Sequence, residues 1–164
     1  MNRHDRDQRL REVARIAVAL EVECGLPAPL LIAQWAVESK WGAKPVGQAN
    51  YFGIKAHCAS KTCTVTTHEA VGETLVPCQQ TFADYDSLEE SCRDYAWLIT
   101  KGMPYRRAWR EYQAGRDLPR LIAAVAGTYA TNQHYAGLVS TVACQKNVAG
   151  AIAAARREVA NVPG

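Results

Sequence analysis

Glu38 is the residue of this sequence whose surroundings best suit acid chemistry. It follows an apolar stretch, Leu30–Val37, that a single glutamine interrupts. A carboxyl group on a buried helix loses hydration, which raises its pKa and keeps it protonated near neutral pH. A protonated carboxylic acid in a cleft can donate its proton to a glycosidic oxygen. A lone glutamate near a helix end is also commonly solvated or paired with a lysine, here Lys40 or Lys44, so both interpretations stay open at this point.

Cysteines form a second group of reactive side chains. They number six, at positions Cys24, Cys58, Cys63, Cys78, Cys92 and Cys144. An even number in a short chain favours disulfides, with some pairing among Cys58, Cys63 and Cys78. A zinc site would use these three together with His57 and His68, but the segment contains neither a Cys-x-x-Cys pair nor an HExxH motif. Buried reduced thiols are the third interpretation, and we expect no metal and no cofactor.

Hydrophobic periodicity predicts helices on both sides of one non-helical segment. An amphipathic helix is predicted from about Asp5 to Glu23, and a buried helix from Leu30 to about Lys40. Ser87 and Glu90 have the spacing of a capping box, which indicates a helix that starts there. The remaining predicted helices cover residues 105–112, 118–127 and, as one long helix, about 132–155.

The segment between Gly42 and Phe82 lacks the helical period. Val65, Thr67 and Glu69 alternate with polar residues, which predicts a β-hairpin with its turn near residues 71–73 and a return strand that reaches Phe82. A length of 164 residues fits one core. The sequence therefore predicts a single domain over residues 1–164, of the α+β class and mostly helical, with a small β-hairpin lobe.

Several motifs in chain order resemble those of one enzyme family. Ala33–Gly42, followed by Asn50–Lys55, is similar to the hallmark of family 73 glycoside hydrolases. These are peptidoglycan β-N-acetylglucosaminidases, which include the flagellar rod-cutting enzyme and bacterial autolysins. Further similar segments are Thr66–Glu69, Phe82–Ser87 with Glu90 and Asp94, and Gly127–Thr131 with Tyr135. The resemblance extends over roughly residues 29–142 and implies a lysozyme-like fold with a glycan groove between the lobes.

The resemblance also implies catalytic roles. Glu38 would be the general acid, and Glu69 would be the second carboxylate, which activates water or stabilises positive charge on the sugar. Glu73 is a rival for the second position because it also lies near the hairpin turn. Tyr129 would lie near the cleaved sugar and steady its 2-acetamido group or the developing charge, with simple packing as the alternative.

Four further residues are expected to bind the glycan. They are Asn50, Tyr51, Phe52 and Tyr135. Asn50 could instead form a turn, and Trp41 and Phe52 could instead support the acid helix. The family often has Thr-Asp-Pro before its last tyrosine, whereas this chain has Thr-Asn-Gln-His, which changes the chemistry of that loop.

Function and location follow as expectations. We expect an endo-β-N-acetylglucosaminidase acting on peptidoglycan, with a muramidase, an autolysin or phage lysin, and a non-enzymatic glycan-binding module as alternatives. The net charge of +3 is a weak signal, and we expect no nucleic-acid partner and a monomer. The N-terminus lacks the apolar core of a signal peptide, and no membrane span is expected. A cell-wall hydrolase with disulfide-type cysteines and no such signal resembles type VI secretion effectors. These are delivered to a rival's periplasm and blocked by an immunity protein that occludes the groove.

Overall fold

The computed structural model describes residues 2–56, 61–71, 74–130 and 133–161. Its elements in chain order are α1 (Arg3–Cys24), α2 (Ala28–Glu38), β1 (Thr62–Val71), β2 (Thr74–Ala83), α3 (Leu88–Lys101), a 3₁₀ turn (Met103–Tyr105), α4 (Arg106–Gly115), α5 (Leu118–Tyr129), α6 (Gln133–Ala143) and α7 (Lys146–Ala160). The predicted class, mostly helical with a small antiparallel hairpin, is confirmed.

Helix α2 is the centre of the core. Its residues from Leu30 to Ala36 are at most 2% exposed, and it packs against α1, α3, α6 and α7. Pro29 suits its first turn, where no backbone N–H is needed. The helix ends at Glu38, two residues before the predicted end, so the acid is the last helical residue.

Local capping fixes where the flanking helices begin and end. Asn2 caps α1 by accepting from the Asp5 amide, and Gly25 ends α1 in the left-handed conformation. Ser87 accepts from the Glu90 amide as predicted, but the Glu90 carboxylate bonds the amide of Asp86 instead of Ser87. No helix among the described residues is long and apolar enough to cross a membrane.

The long helix predicted for residues 132–155 is wrong, because it is divided into α6 and α7. Gln145 between them has an extended backbone (φ −67°, ψ 140°). Val142 and Val148 are both buried, but in one straight helix a separation of six residues would place them about 120° apart around the axis. The break lets α6 pack against α2 and α5 while α7 packs against α1.

The hairpin of β1 and β2 joins the helical body at its base. Cys63 pairs with Phe82 there, and Glu69 pairs with Val76 near the other end. Lys55 forms a bridge with Phe82, and the Ala83 amide donates to the Ile54 carbonyl at 3.0 Å. The segment that follows the acid helix is thereby held directly against the base of the hairpin.

The cysteines differ from expectation. Cys24, Cys63, Cys78, Cys92 and Cys144 are free thiols, and Cys58 lies outside the described residues together with His57. In the hairpin, Cys63 pairs with Phe82 and Cys78 with Thr67. This register separates the two cysteines by four positions, or roughly 13 Å, which is too far for a disulfide or a shared metal ion. The described residues contain no group of three or more His, Cys, Asp and Glu side chains that could hold a metal.

Candidate active site

A tight turn after α2 fixes the position of Glu38. The buried Ser39 hydroxyl donates to the Trp35 carbonyl at 2.5 Å and accepts from the Gly42 amide at 2.8 Å. Gly42 has φ +77°, and a Cβ there would lie 2.7 Å from the Trp35 ring. Only glycine fits that contact and that backbone conformation. The Glu-Ser-x-Trp-Gly motif therefore ends the helix so that Glu38 lies at its terminus.

Trp41, the remaining fixed residue of that motif, supports the turn. Its ring meets the Trp35 ring edge-on at 6.3 Å, and the Arg6 guanidinium lies 3.7 Å over its face. The contact links the turn to the first residues of α1. Of the two roles considered for Trp41, support of the acid helix matches these contacts.

The Glu38 carboxyl is half-buried and asymmetric. Loss of hydration raises its pKa, and a hydrogen bond donated by the Tyr135 hydroxyl to Oε1 offsets part of this rise. The other oxygen, Oε2, is 3.7 Å from where a side-chain carbon on Gly53 would lie. The expected raised pKa is confirmed, and it favours the protonated form that acid catalysis needs.

A chain of hydrogen bonds leads from Glu38 into the core. Tyr135 accepts from Gln34 Nε2 at 3.0 Å, and Gln34 Oε1 accepts from the Tyr95 hydroxyl. Gln34 and Tyr95 are both fully buried. In the sequence, Gln34 stands out only as the glutamine that interrupts the apolar stretch before Glu38, so this role was not predicted, and neither was that of Tyr95. The available signal was a tyrosine on an apolar helix face, because a buried phenol needs a partner.

Asn50 organises the loop that passes in front of the acid. Its side chain is 1% exposed. Nδ2 donates to the carbonyls of Ile54 and Ala83, both at 2.8 Å, and Oδ1 accepts from the amides of Phe52 and Ile54. All these bonds stay within the protein, which matches the turn-forming alternative. The role of Asn50 as a glycan contact stays an untested prediction.

Replacing Asn50 with aspartate should destabilise the fold while keeping the side-chain shape. The change puts a carboxylate oxygen against two carbonyl oxygens that now receive hydrogen bonds. We expect a loss of about 2–4 kcal/mol in the free energy of unfolding at pH 7, measured by urea denaturation. The exposed Asn147→Asp is the matched control. A difference below about 0.5 kcal/mol between the two variants would contradict this account.

Phe52 and Tyr51 have different environments. The Phe52 ring is fully buried and stacks on Tyr95 with centroids 4.3 Å apart, which matches the alternative of support for the acid helix. Its role as a glycan contact stays an untested prediction. Tyr51 is partly exposed. Its amide donates to the Ser91 hydroxyl at 3.2 Å. Tyr51 stays a predicted glycan contact.

Tyr129 lies beside the acid, in the wall of a cavity. Its hydroxyl donates to the Phe52 carbonyl at 2.7 Å, and its ring stacks parallel to Tyr135 with centroids 6.5 Å apart. The cavity has a volume of about 300 Å³ and is lined by Gly53, Ile54, Lys55, Leu98, Tyr105 and Tyr129. Because Gly53 also adjoins Glu38 Oε2, this cavity begins next to the acid.

The predicted second carboxylate is on the hairpin. Glu69 lies in β1 opposite Val76, in the same alternation as Cys63 and Thr67. Its rival, Glu73, lies outside the described residues. The structure thus brings Glu38, Tyr129 and Tyr135 together on the helical body and places Glu69 on the separate β lobe, where its role stays a prediction.

The chain is similar in sequence to known proteins from several bacteria. A protein from Lactococcus lactis subsp. lactis, named "Probable N-acetylmuramidase", is 28% identical over 151 residues, which are 85% of this chain and 33% of that protein. Peptidoglycan hydrolase FlgJ from Vibrio cholerae is 34% identical over 130 residues, which are 74% of this chain and 38% of that protein. The chain thus spans about a third of the length of these relatives.

A solved structure and a family model complete the comparison. The catalytic domain of the autolysin Auto from Listeria monocytogenes superposes with a TM-score of 0.77 at 28% identity, covering 92% of this chain and 89% of that one. The glucosaminidase model, described as mannosyl-glycoprotein endo-beta-N-acetylglucosaminidase, matches residues 14–147. The fold is therefore that of lysozyme-like catalytic domains, and the chain belongs to the glucosaminidase family.

Proposed function

We propose that this chain hydrolyses the glycan strand of peptidoglycan, at the β-1,4 bond that follows N-acetylglucosamine. The observation that carries the proposal is the Glu38 carboxyl, which is half-buried, has a raised pKa and is held through one oxygen by Tyr135. A carboxylic acid that stays protonated near neutral pH can donate to a leaving sugar oxygen. Membership of the glucosaminidase family and relatives named as peptidoglycan hydrolases support the same chemistry.

The other roles complete the proposal. Glu69 acts as the second carboxylate, because most glycoside hydrolases use a pair of carboxylates that flank the cleaved bond. Tyr129, beside the cavity that adjoins Gly53, contacts the sugar whose bond is cut. The half-exposed ring of Tyr135 and the partly exposed Tyr51 extend this contact surface.

Cleavage of the neighbouring bond by a muramidase is the second candidate, since a relative is named as an N-acetylmuramidase. Purified sacculi are digested, and the soluble products are reduced with borohydride and analysed by mass spectrometry. A reduced glucosamine end supports the proposed cut, whereas a reduced muramic acid end supports the muramidase. Sacculi that release no products and only retain the protein would instead indicate a glycan-binding module.

We also propose a site of action outside the cytoplasm. Peptidoglycan, the proposed substrate, lies beyond the inner membrane. In this proposal the chain is an antibacterial type VI effector that acts in a rival's periplasm as a monomer, and an immunity protein covers the cavity beside Glu38. Expression directed to the periplasm should lyse cells, and co-expression of the neighbouring gene's product should protect them. Equal toxicity in the cytoplasm would contradict the proposal.

A further inference from the structure

The hydrogen bonds that link Tyr95 to Glu38 through Gln34 and Tyr135 all run in one donor-to-acceptor direction, and the first donor is Tyr95. Within residues 2–56, 61–71, 74–130 and 133–161, the fully buried Tyr95 hydroxyl has one hydrogen-bond partner, the side-chain oxygen of Gln34. A buried phenol must direct its proton at an acceptor. The Tyr95 proton therefore points at Gln34, and this fixes which end of the Gln34 amide is the oxygen.

The fixed amide then orients Tyr135. With its oxygen engaged by Tyr95, Gln34 presents Nε2 to the Tyr135 hydroxyl and donates to it at 3.0 Å. An amide NH₂ can only donate, so the Tyr135 oxygen accepts this bond. The Tyr135 proton is left to point at Glu38 Oε1, where the structure places it.

The last bond determines where the acid proton can be. A protonated carboxyl has one bare oxygen and one hydroxyl, and an oxygen that accepts from Tyr135 is the bare one. We propose that the chain of Tyr95, Gln34 and Tyr135 places the acid proton of Glu38 on Oε2, next to Gly53, and that Gln34 and Tyr95 are positioning residues of the hydrolysis. The inference rests on the proposed function, in which Glu38 donates this proton to the glycosidic oxygen.

Hydrogen bonds that ran in the opposite direction would place the acid proton on the other oxygen of Glu38. If the Gln34 amide turned over, Tyr135 would donate to Gln34 and accept from Glu38. The acid proton would then be on Oε1, engaged with Tyr135 and turned away from Gly53 and the cavity that it lines. The Tyr95 hydroxyl thus determines whether the acid proton lies on Oε2, from which it can be delivered, or on Oε1, from which it cannot.

The test compares Tyr95→Phe with Tyr85→Phe. Tyr85 is the matched control because its buried hydroxyl donates to Asp94 at 2.5 Å and takes no part in the hydrogen bonds behind Glu38. We expect Tyr95→Phe to lower kcat on soluble peptidoglycan fragments about tenfold, with KM within about twofold of wild type, and Tyr85→Phe to change neither. A kcat for Tyr95→Phe equal to that of the control would overturn the inference.

Infrared spectroscopy reads the proton position without turnover. The carbonyl stretch of protonated Glu38 is isolated as the difference between wild type and Glu38→Gln at acid pH. In Tyr95→Phe this stretch should move to higher frequency, because the carbonyl loses the hydrogen bond from Tyr135. An unchanged frequency would overturn the inference, whereas inactive wild-type protein would overturn the proposed function and leave this measurement readable.

Gln34→Glu provides a rescue experiment. A protonated glutamic acid at this position can still accept from Tyr95 and donate to Tyr135, whereas its carboxylate can only accept. We expect a kcat near that of wild type at acid pH, where the carboxyl at position 34 and that of Glu38 are both protonated. Tyrosines on α3, the 3₁₀ turn, α5 and α6 surround this position. They are Tyr95, Tyr105, Tyr129 and Tyr135. Burial raises the pKa of each, so all four stay neutral at acid pH. A kcat at acid pH as low as that of Tyr95→Phe would contradict the assigned direction.

Discussion

Glu38→Gln is expected to lower the rate of glycan hydrolysis about a thousandfold, because the glutamine amide keeps the shape of the side chain but has no acidic proton to donate. Retention of the protein on sacculi should be unchanged, since the variant keeps the acceptor for Tyr135. Release of reduced muropeptides measures the rate, and co-sedimentation with sacculi measures binding. Activity within tenfold of wild type would remove Glu38 from its proposed role.

Stability measurements separate loss of chemistry from loss of fold in this variant. The pKa of Glu38 is raised in the folded state, so its contribution to stability is present at acid pH and is lost as the pH rises through that pKa. Glutamine has no charge to bury, so the melting temperature of Glu38→Gln should equal that of wild type at acid pH and exceed it at neutral pH. The control variant is Glu111→Gln, at a partly exposed glutamate whose pKa is lowered mainly by its hydrogen bond from Arg107. This variant is expected to keep full activity.

Tyr135→Phe is expected to change the rate and its pH dependence together. Activity requires protonated Glu38 and falls as the pH rises through its pKa. The Tyr135 hydrogen bond lowers that pKa, so its removal should move the falling limb to higher pH. The maximal rate should drop about tenfold, because the carboxyl loses the bond that orients it. Initial rates on soluble glycan fragments across a pH series check both effects.

Tyr112→Phe is the control for this prediction, since Tyr112 lies on α4 and contacts Trp109 and Arg116. It should leave the rate and the pH profile unchanged. A falling limb that moves to lower pH in Tyr135→Phe would show that Tyr135 stabilises the protonated acid, which is the reverse of the sign expected here.

The sequence was sufficient for the fold and for the apolar surroundings of Glu38, because both depend on local patterns. The apolar surroundings of Glu38 and the alternation in β1 are visible within about ten residues, and both predictions are confirmed. The error at residues 132–155 has a local cause too, since the six-residue step from Val142 to Val148 was already in the sequence. A correct prediction there required the angular positions of the apolar residues around the helix, and not only their number.

The support of the site could not be predicted in the same way. The Tyr95 bond to Gln34 joins residues 61 positions apart, and the Tyr135 bond to Glu38 joins residues 97 positions apart. A tyrosine on an apolar helix face indicates a buried phenol that needs a partner, but it does not indicate which distant residue that partner is. The spacing of Asn50 allowed both a turn and a glycan contact, and its burial became visible only in the structure. The expected disulfides rested on composition, which carries no information on the register of the hairpin.

The hairpin is attached to the helical body at its base, where Lys55 forms a bridge with Phe82, so a tilt at this joint would be amplified along the strands. Glu69 follows Cys63 in β1 by six residues, or roughly 20 Å along the arm, counted from the pair that Cys63 forms with Phe82. A tilt of about 10° at that joint would move the Glu69 backbone by about 3.5 Å. Carboxyl groups are about 5 Å apart in retaining enzymes and about 6.5–9.5 Å apart in inverting ones. The angle at the joint, more than the identity of either carboxylate, would then decide whether the product sugar keeps or inverts its anomeric configuration.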